Sequence, residues 1–227
     1  MRSRQPSGFT LVEVLVAIAI LALLALLSWR GLDAMLRTQA GLQQRADTLR
    51  TLQAGLAQWQ TDLGRMAHRA GAPGWDWDGK VLRLTREDVQ ATQGLRVVAW
   101  TWRQDGNRPG GGDWLRWQSP LLRTQDQWQQ AWLAARTWSQ TPTAELRAAE
   151  IGVHALAGWQ LFVHRGGSWT NPLSSAAVGT PGEPASAAPL PDAVRLVLEL
   201  PAGPVAGRIT LDWVRPTLSG SLGGGGA

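Results

Sequence analysis

The chain has no cysteine, no tyrosine, a single lysine (Lys80) and two phenylalanines in 227 residues. Without cysteine there is no disulfide framework, no thiol nucleophile and no thiolate metal site. With Lys80 alone in its class, the cationic surface is almost entirely arginine. The histidines, His68, His154 and His164, stand far apart and none falls in an HExxH spacing. No Gly-x-Ser-x-Gly elbow, phosphate loop or dinucleotide fingerprint occurs. Asp76-Trp77-Asp78-Gly79 lacks the third acid and the closing glutamate of a calcium loop, so it reads as a turn. These absences predict a chain that is not an enzyme and holds no metal and no cofactor. The formal charge of +5 is too small an excess to call for nucleic acid.

What the chain has in quantity is an apolar N-terminal run and tryptophan. Gly8-Phe9-Thr10-Leu11-Val12-Glu13 leads into an uninterrupted apolar stretch from Val14 to Leu27. As a helix, residues 9–29 would be about 31 Å long, which matches a bilayer core of roughly 30 Å. Glu13 is the anomaly, because a charge near mid-membrane costs about 3 kcal/mol even on lenient scales. Either it sits at the headgroups or protonated in an ordinary anchor, or it has a cationic partner. Ahead of it lies a short leader with Arg2 and Arg4, whose apolar region follows the leader instead of preceding a cleavage site. That order is unlike a secretory signal peptide. The two arginines favour a cytoplasmic N-terminus, although Arg30 and Arg37 on the far side blunt the bias.

The string Gly8 to Glu13 after an arginine-bearing leader resembles the processing site of type IV pilins and type II secretion pseudopilins. The resemblance implies removal of residues 1–8 by a prepilin peptidase, cleavage falling between Gly8 and Phe9. Phe9 would become the N-methylated terminus, lowering the side-chain charge from +5 to +3 because Arg2 and Arg4 leave with no acid. It also implies that Glu13 neutralises the terminal ammonium of a neighbouring subunit during assembly. Ser28-Trp29-Arg30-Gly31-Leu32-Asp33 is similar to the J-type minor pseudopilin, in which an aromatic-Arg-x-Leu-Asp string follows the anchor. Gln60-Thr61-Asp62-Leu63-Gly64-Arg65 with Arg69 resembles that subfamily's helix end. Leu190-Pro191-Asp192-Ala193-Val194 with Gly207-Arg208-Ile209 resembles its C-terminal hairpin. Arg30, where major pilins usually carry proline, and Asp33 are partner-binding candidates on this ground. The implied partners are I-type, K-type and H-type minor pseudopilins, the major pseudopilin, the peptidase and the inner-membrane assembly platform, with secreted cargo at the tip and no nucleic acid. The implied setting is a single-pass inner-membrane protein with its C-terminal head in the periplasm. Two alternatives stay open: a minor pilin of a type IV pilus or DNA-uptake system, and a membrane-anchored periplasmic enzyme.

The fold class expected is α+β and pilin-like: a long N-terminal helix, transmembrane then amphipathic, packed on an antiparallel β-sheet head. Leu42, Leu49, Leu52, Leu56, Trp59, Leu63 and Met66 form a narrow apolar stripe. It fits a helix laid on a sheet better than a coiled coil, because the repeat is short. The expected organisation is a leader over 1–8, a membrane helix over 9–29, its continuation over 30–70 and a β-rich head over 71–217. A structureless tail covers 218–227. Within the head, strands are predicted at 81–85, 95–102, 114–117, 158–164, 193–200 and 208–214, the last two as a hairpin. A helix is predicted over 125–138, and flexible loops over 103–113 and 171–191. Gly31, Gly41, Gly55 and Gly64 mark either bends in the helix or close approaches between subunits.

Fourteen tryptophans leave three readings open. They fill the core, they anchor partner contacts, or they stack on sugar or base. Alternation puts Trp100 and Trp102 on one sheet face and favours core. Trp75 and Trp77, expected in a loop, are the best candidates for partner anchors, and Trp114 with Trp117 forms another pair.

Overall fold

The computed structural model describes residues 8–88, 94–175 and 190–216. The chain falls into two units, residues 1–47 and 48–227. The first holds the start of α1, a helix over Leu11–Gly64. Its apolar side chains, from Leu11 through Leu27, are all exposed. α1 is the one helix among the described residues that is long and apolar enough to cross a membrane.

The second unit is the head. Five strands, β1 (Trp75–Trp77), β2 (Val81–Glu87), β3 (Leu95–Gln104), β4 (Gly112–Gln118) and β5 (Glu150–Leu156), form an antiparallel sheet in chain order. A second antiparallel sheet has the order β7-β6-β8-β9, from β6 (Gly158–Arg165), β7 (Ser168–Thr170), β8 (Ala193–Leu200) and β9 (Gly207–Val214). The fold class is therefore α+β, a long apolar helix followed by an antiparallel head.

Period-two alternation divides the first sheet between two cores. Leu82, Leu84, Val98, Trp100 and Trp114 point to one face, where they meet Leu52, Trp59 and Leu63 of α1 and Leu161, Val163, Val194, Leu196 and Leu198 of the second sheet. Val81, Val97, Ala99, Leu115 and Trp117 point to the other face, under α2 (Gln125–Gln140). Helix α2 begins with a capping box, Thr124 exchanging bonds with Gln127, and lays Trp128, Ala131, Ala135 and Trp138 on the sheet. Trp132 stacks on Trp128 at 4.9 Å and lies beneath the Arg83 guanidinium. Two short helices complete the described chain, α3 (Ala144–Ala148) and α4 (Pro172–Ser175).

Several expectations need correction. The helix predicted to 70 ends at Gly64, because the next residues bond to β2: Ala67 N–H donates to Thr85 and Glu87 N–H to Arg65. Leu42 and Leu49 of the apolar stripe are exposed, so the buried part starts at Leu52. The loop predicted over 103–113 is shorter, since Gln104 already pairs with Gly112. Its turn is tied by Arg108, which donates to Asp105 (2.7 Å) and Asp113 (2.5 Å). These bonds hold the Asp105 carboxyl below its usual range and raise Arg108. Residues 172–175 are helical where a loop is predicted; 176–189, the tail over 218–227 and the leader over 1–7 lie outside the described residues.

Gly55 has a plain reason. A Cβ there would come within 2.3 Å of Val153 Cγ1 and 3.2 Å of the Trp114 ring. The close approach is between α1 and the head's own sheet, while Gly31, Gly41 and Gly64 face open space.

Candidate functional site

The N-terminal segment is built around a local device. Thr10-Leu11-Val12-Glu13 has the T-x-x-E spacing of a capping box. Thr10 N–H and Thr10 Oγ1 both donate to Glu13 Oε2, at 2.9 and 2.8 Å, and Glu13 N–H donates to Thr10 Oγ1 at 3.3 Å. Glu13 thus starts α1 by binding back to the turn that precedes it. Gly8 and Phe9 lie just before the helix and are exposed, Phe9 at 88%. A backbone in this state, outside any helix and without side-chain bulk at Gly8, is open to a peptidase. Residues 3–29 match the prokaryotic N-terminal methylation motif. That match supports a type IV pilin-like protein, anchored in a membrane by its apolar helix. The motif implies processing by a prepilin peptidase and assembly with other pilins. It ends at Trp29, so the head lies outside it, and no curated protein matches the chain.

Arg30 and Asp33 lie on α1, Arg30 exposed and Asp33 half-buried. Asp33 pairs with Arg37 one turn on, an i,i+4 contact.

In the head, Trp75 and Trp77 occupy β1, not a loop. Trp75 is 7% exposed and packed in the core, so it offers no ring face to a partner. Trp77 is half-buried and meets Trp159 edge-on at 5.4 Å. Trp114 and Trp117, the other pair, are buried on opposite faces of the sheet. The core reading of these tryptophans holds, with Trp100 fully buried and Trp102 half-buried against the same cluster.

Among the described residues of the head, a dense polar constellation forms around Asp62 that no local sequence pattern announces. Asp62, on the last turn of α1, is fully buried. Its Oδ2 accepts from Arg116 Nε (2.7 Å) and Trp100 Nε1 (3.0 Å). Its Oδ1 accepts from Gln58 Nε2 (2.8 Å), Arg116 Nη2 (3.0 Å) and Arg86 Nη1. The arginines come from β2 and β4, so a single carboxylate ties the helix end to the first sheet. A buried network bonded on both carboxylate oxygens holds the helix end in one position against the sheet.

The three histidines lie apart in the head, in different segments of the chain. His68 Nδ1 accepts from Gly74 N–H (3.4 Å), and His164 meets Trp169 edge-on. His154 lies on β5, where burial pushes its pKa below the ordinary value. Among the described residues no three acidic, histidine or cysteine side chains gather as a metal site would need. Of Asp76-Trp77-Asp78-Gly79, the first two residues belong to β1 and the turn starts at Asp78, whose carboxylate accepts from the Lys80 and Val81 amides at 2.9 and 2.8 Å.

Proposed function

We propose that this protein is a minor pseudopilin of a type II secretion system, in the J-type role. It sits in the inner membrane with its head in the periplasm. A prepilin peptidase cuts between Gly8 and Phe9 and methylates Phe9. The membrane helix over 9–29 then packs beside those of other pseudopilins, and Glu13 meets the terminal ammonium of a neighbour. In this reading Glu13 exchanges its bonds to Thr10 for a cation, which offsets the cost of a carboxylate in the bilayer. Arg30 and Asp33, just past the anchor, contact I-type and K-type partners in a tip complex that starts the pseudopilus and supports export of folded cargo. The chain itself carries no catalytic role.

The observation that carries the proposal is the methylation motif with Glu13 inside it. The J-type assignment rests on the strings at Ser28–Asp33 and Gln60–Arg65 and on the C-terminal hairpin. Mass spectrometry of the protein from cells with the peptidase should show a chain starting at methylated Phe9. A chain still starting at Met1 would refute processing. Co-purification with I-type and K-type heads supports the secretion role. Salt-sensitive DNA binding without such partners would favour the DNA-uptake alternative instead.

A further inference from the structure

Among the described residues each of the head's two sheets has two outer edges, and three of these four are blunted. β1 and β7 are only three residues long. β5 is interrupted by an irregularity opposite Trp114 and Leu115, where Val153 falls out of register. Short strands and bulges are the usual defences against edge pairing. The fourth edge, β9, has none of them. It runs eight residues, pairs with β8 in unbroken register from Gly207 to Val214, and contains neither proline nor lysine. Among the described residues no strand pairs with its other side.

Backbone phase shows which groups face outward on that edge. Arg215 N–H donates to the Asp192 carbonyl, next to the Ala193–Val214 pair. In an antiparallel ladder the bonded pairs alternate, so Ile209, Leu211 and Trp213 bond to β8. The N–H and C=O groups of Arg208, Thr210, Asp212 and Val214 therefore point away from it.

We propose that β9 pairs antiparallel with β9 of a second copy of this chain, about a twofold axis through Thr210. This register sets Arg208 of one copy opposite Asp212 of the other, twice. Within each chain Arg208 already binds Glu199 (2.6 Å) and Asp212 binds Arg195 (2.7 Å). The pairing would join these into a continuous row of alternating charge across four strands, Glu199, Arg208, then Asp212 and Arg195 of the second copy. On the opposite face Ile209 would meet Leu211 of the second copy. Both are only half-buried at the margin of the core, so the added strand would complete their cover. Moving the axis by one residue along the strand loses the Arg208–Asp212 match, so the charges select the register. Strand pairing alone is smaller than the roughly 1,200 Å² of a permanent interface, so the dimer is dissociable.

The proposal does not rest on the assembly role of Glu13, and the test removes that role by using full-length protein in detergent micelles with Glu13→Ala throughout. The chain has no cysteine, so Thr210→Cys creates a lone thiol. Directly bonded residues lie about 5.5 Å apart at Cα, within the roughly 4.4–6.8 Å a disulfide spans. Mild oxidation should give a covalent dimer for Thr210→Cys and none for Ile151→Cys on β5. Thr210→Pro removes only an outward N–H, so it should abolish the dimer in sedimentation while leaving the melting temperature in place. Failure of Thr210→Cys to cross-link, or cross-linking at Ile151→Cys as readily, overturns the proposal. So does capture in cells of a different protein by Thr210→Cys in place of a second copy.

Discussion

Replacing Asp62 by alanine should lower the melting temperature of the head by roughly 10 °C. The change deletes a fully buried carboxylate and strands its donors: Arg116, with a side chain 7% exposed, Arg86, at 11%, and the Trp100 indole. Removing one partner of a buried ion pair costs about 3–5 kcal/mol, because the remaining charge stays out of water. Alanine returns about 0.5 kcal/mol of helix propensity. A net loss of about 4 kcal/mol is a large fraction of the roughly 5–15 kcal/mol that holds a domain together. For a domain of this size, each kcal/mol shifts the melting point by about 2–4 °C. The assay is thermal unfolding of the full chain in mild detergent, followed by tryptophan emission. Trp29 is the one tryptophan outside residues 48–227, so the signal reports the head. A second variant separates charge from shape: Asp62→Leu with Arg86→Met and Arg116→Leu should recover much of the loss. A shift under about 3 °C for Asp62→Ala would show that water or rearrangement compensates the arginines, and the account of the node would fail.

Gly55→Ala should destabilise the head by about 1–3 kcal/mol through its clash with Val153, whereas Gly41→Ala should raise helix stability by up to about 1 kcal/mol; equal effects of the two in denaturation would contradict the packing. Glu13→Ala should leave cleavage after Gly8 intact, speed amide exchange in the first turn of α1 and abolish assembly, while Gly8→Ala should block cleavage, as read by mass spectrometry. His154 carries a pKa below its ordinary 6.5 because of burial, so the folded head binds fewer protons than the unfolded chain just below that value. Its contribution is whole above about pH 6.5 and declines as the pH falls through that value; His154→Gln should flatten this slope in melting curves taken from pH 5 to 8.

The parts of the fold legible in the sequence are those where one period dominates. Val194, Leu196, Leu198 and Leu200 alternate without interruption, and β8 covers Ala193–Leu200 as expected. The amphipathic spacing in 125–138 predicts α2 for the same reason. β5 escaped because Gly152 breaks its alternation and Val153 slips out of register, so its pattern has no single period. β1 and β7 are too short to show any period. Nothing local announces that the strands divide into two sheets. The Asp62 node is equally silent, since its partners come from Arg86, Trp100 and Arg116, dozens of residues away. The Thr10–Glu13 box, by contrast, is legible in plain T-x-x-E spacing.

The tryptophan core has an optical consequence. Trp100 and Trp114 lie 4.6 Å apart, with Trp59 at 5.4 and 6.0 Å from them, and Trp159 and Trp77 extend the series. Rings this close and held at fixed angles couple their electronic transitions, so they absorb as a group. With no tyrosine to overlap them, their near-ultraviolet circular dichroism is a direct signature of native packing, one that a loosened, molten head would lose.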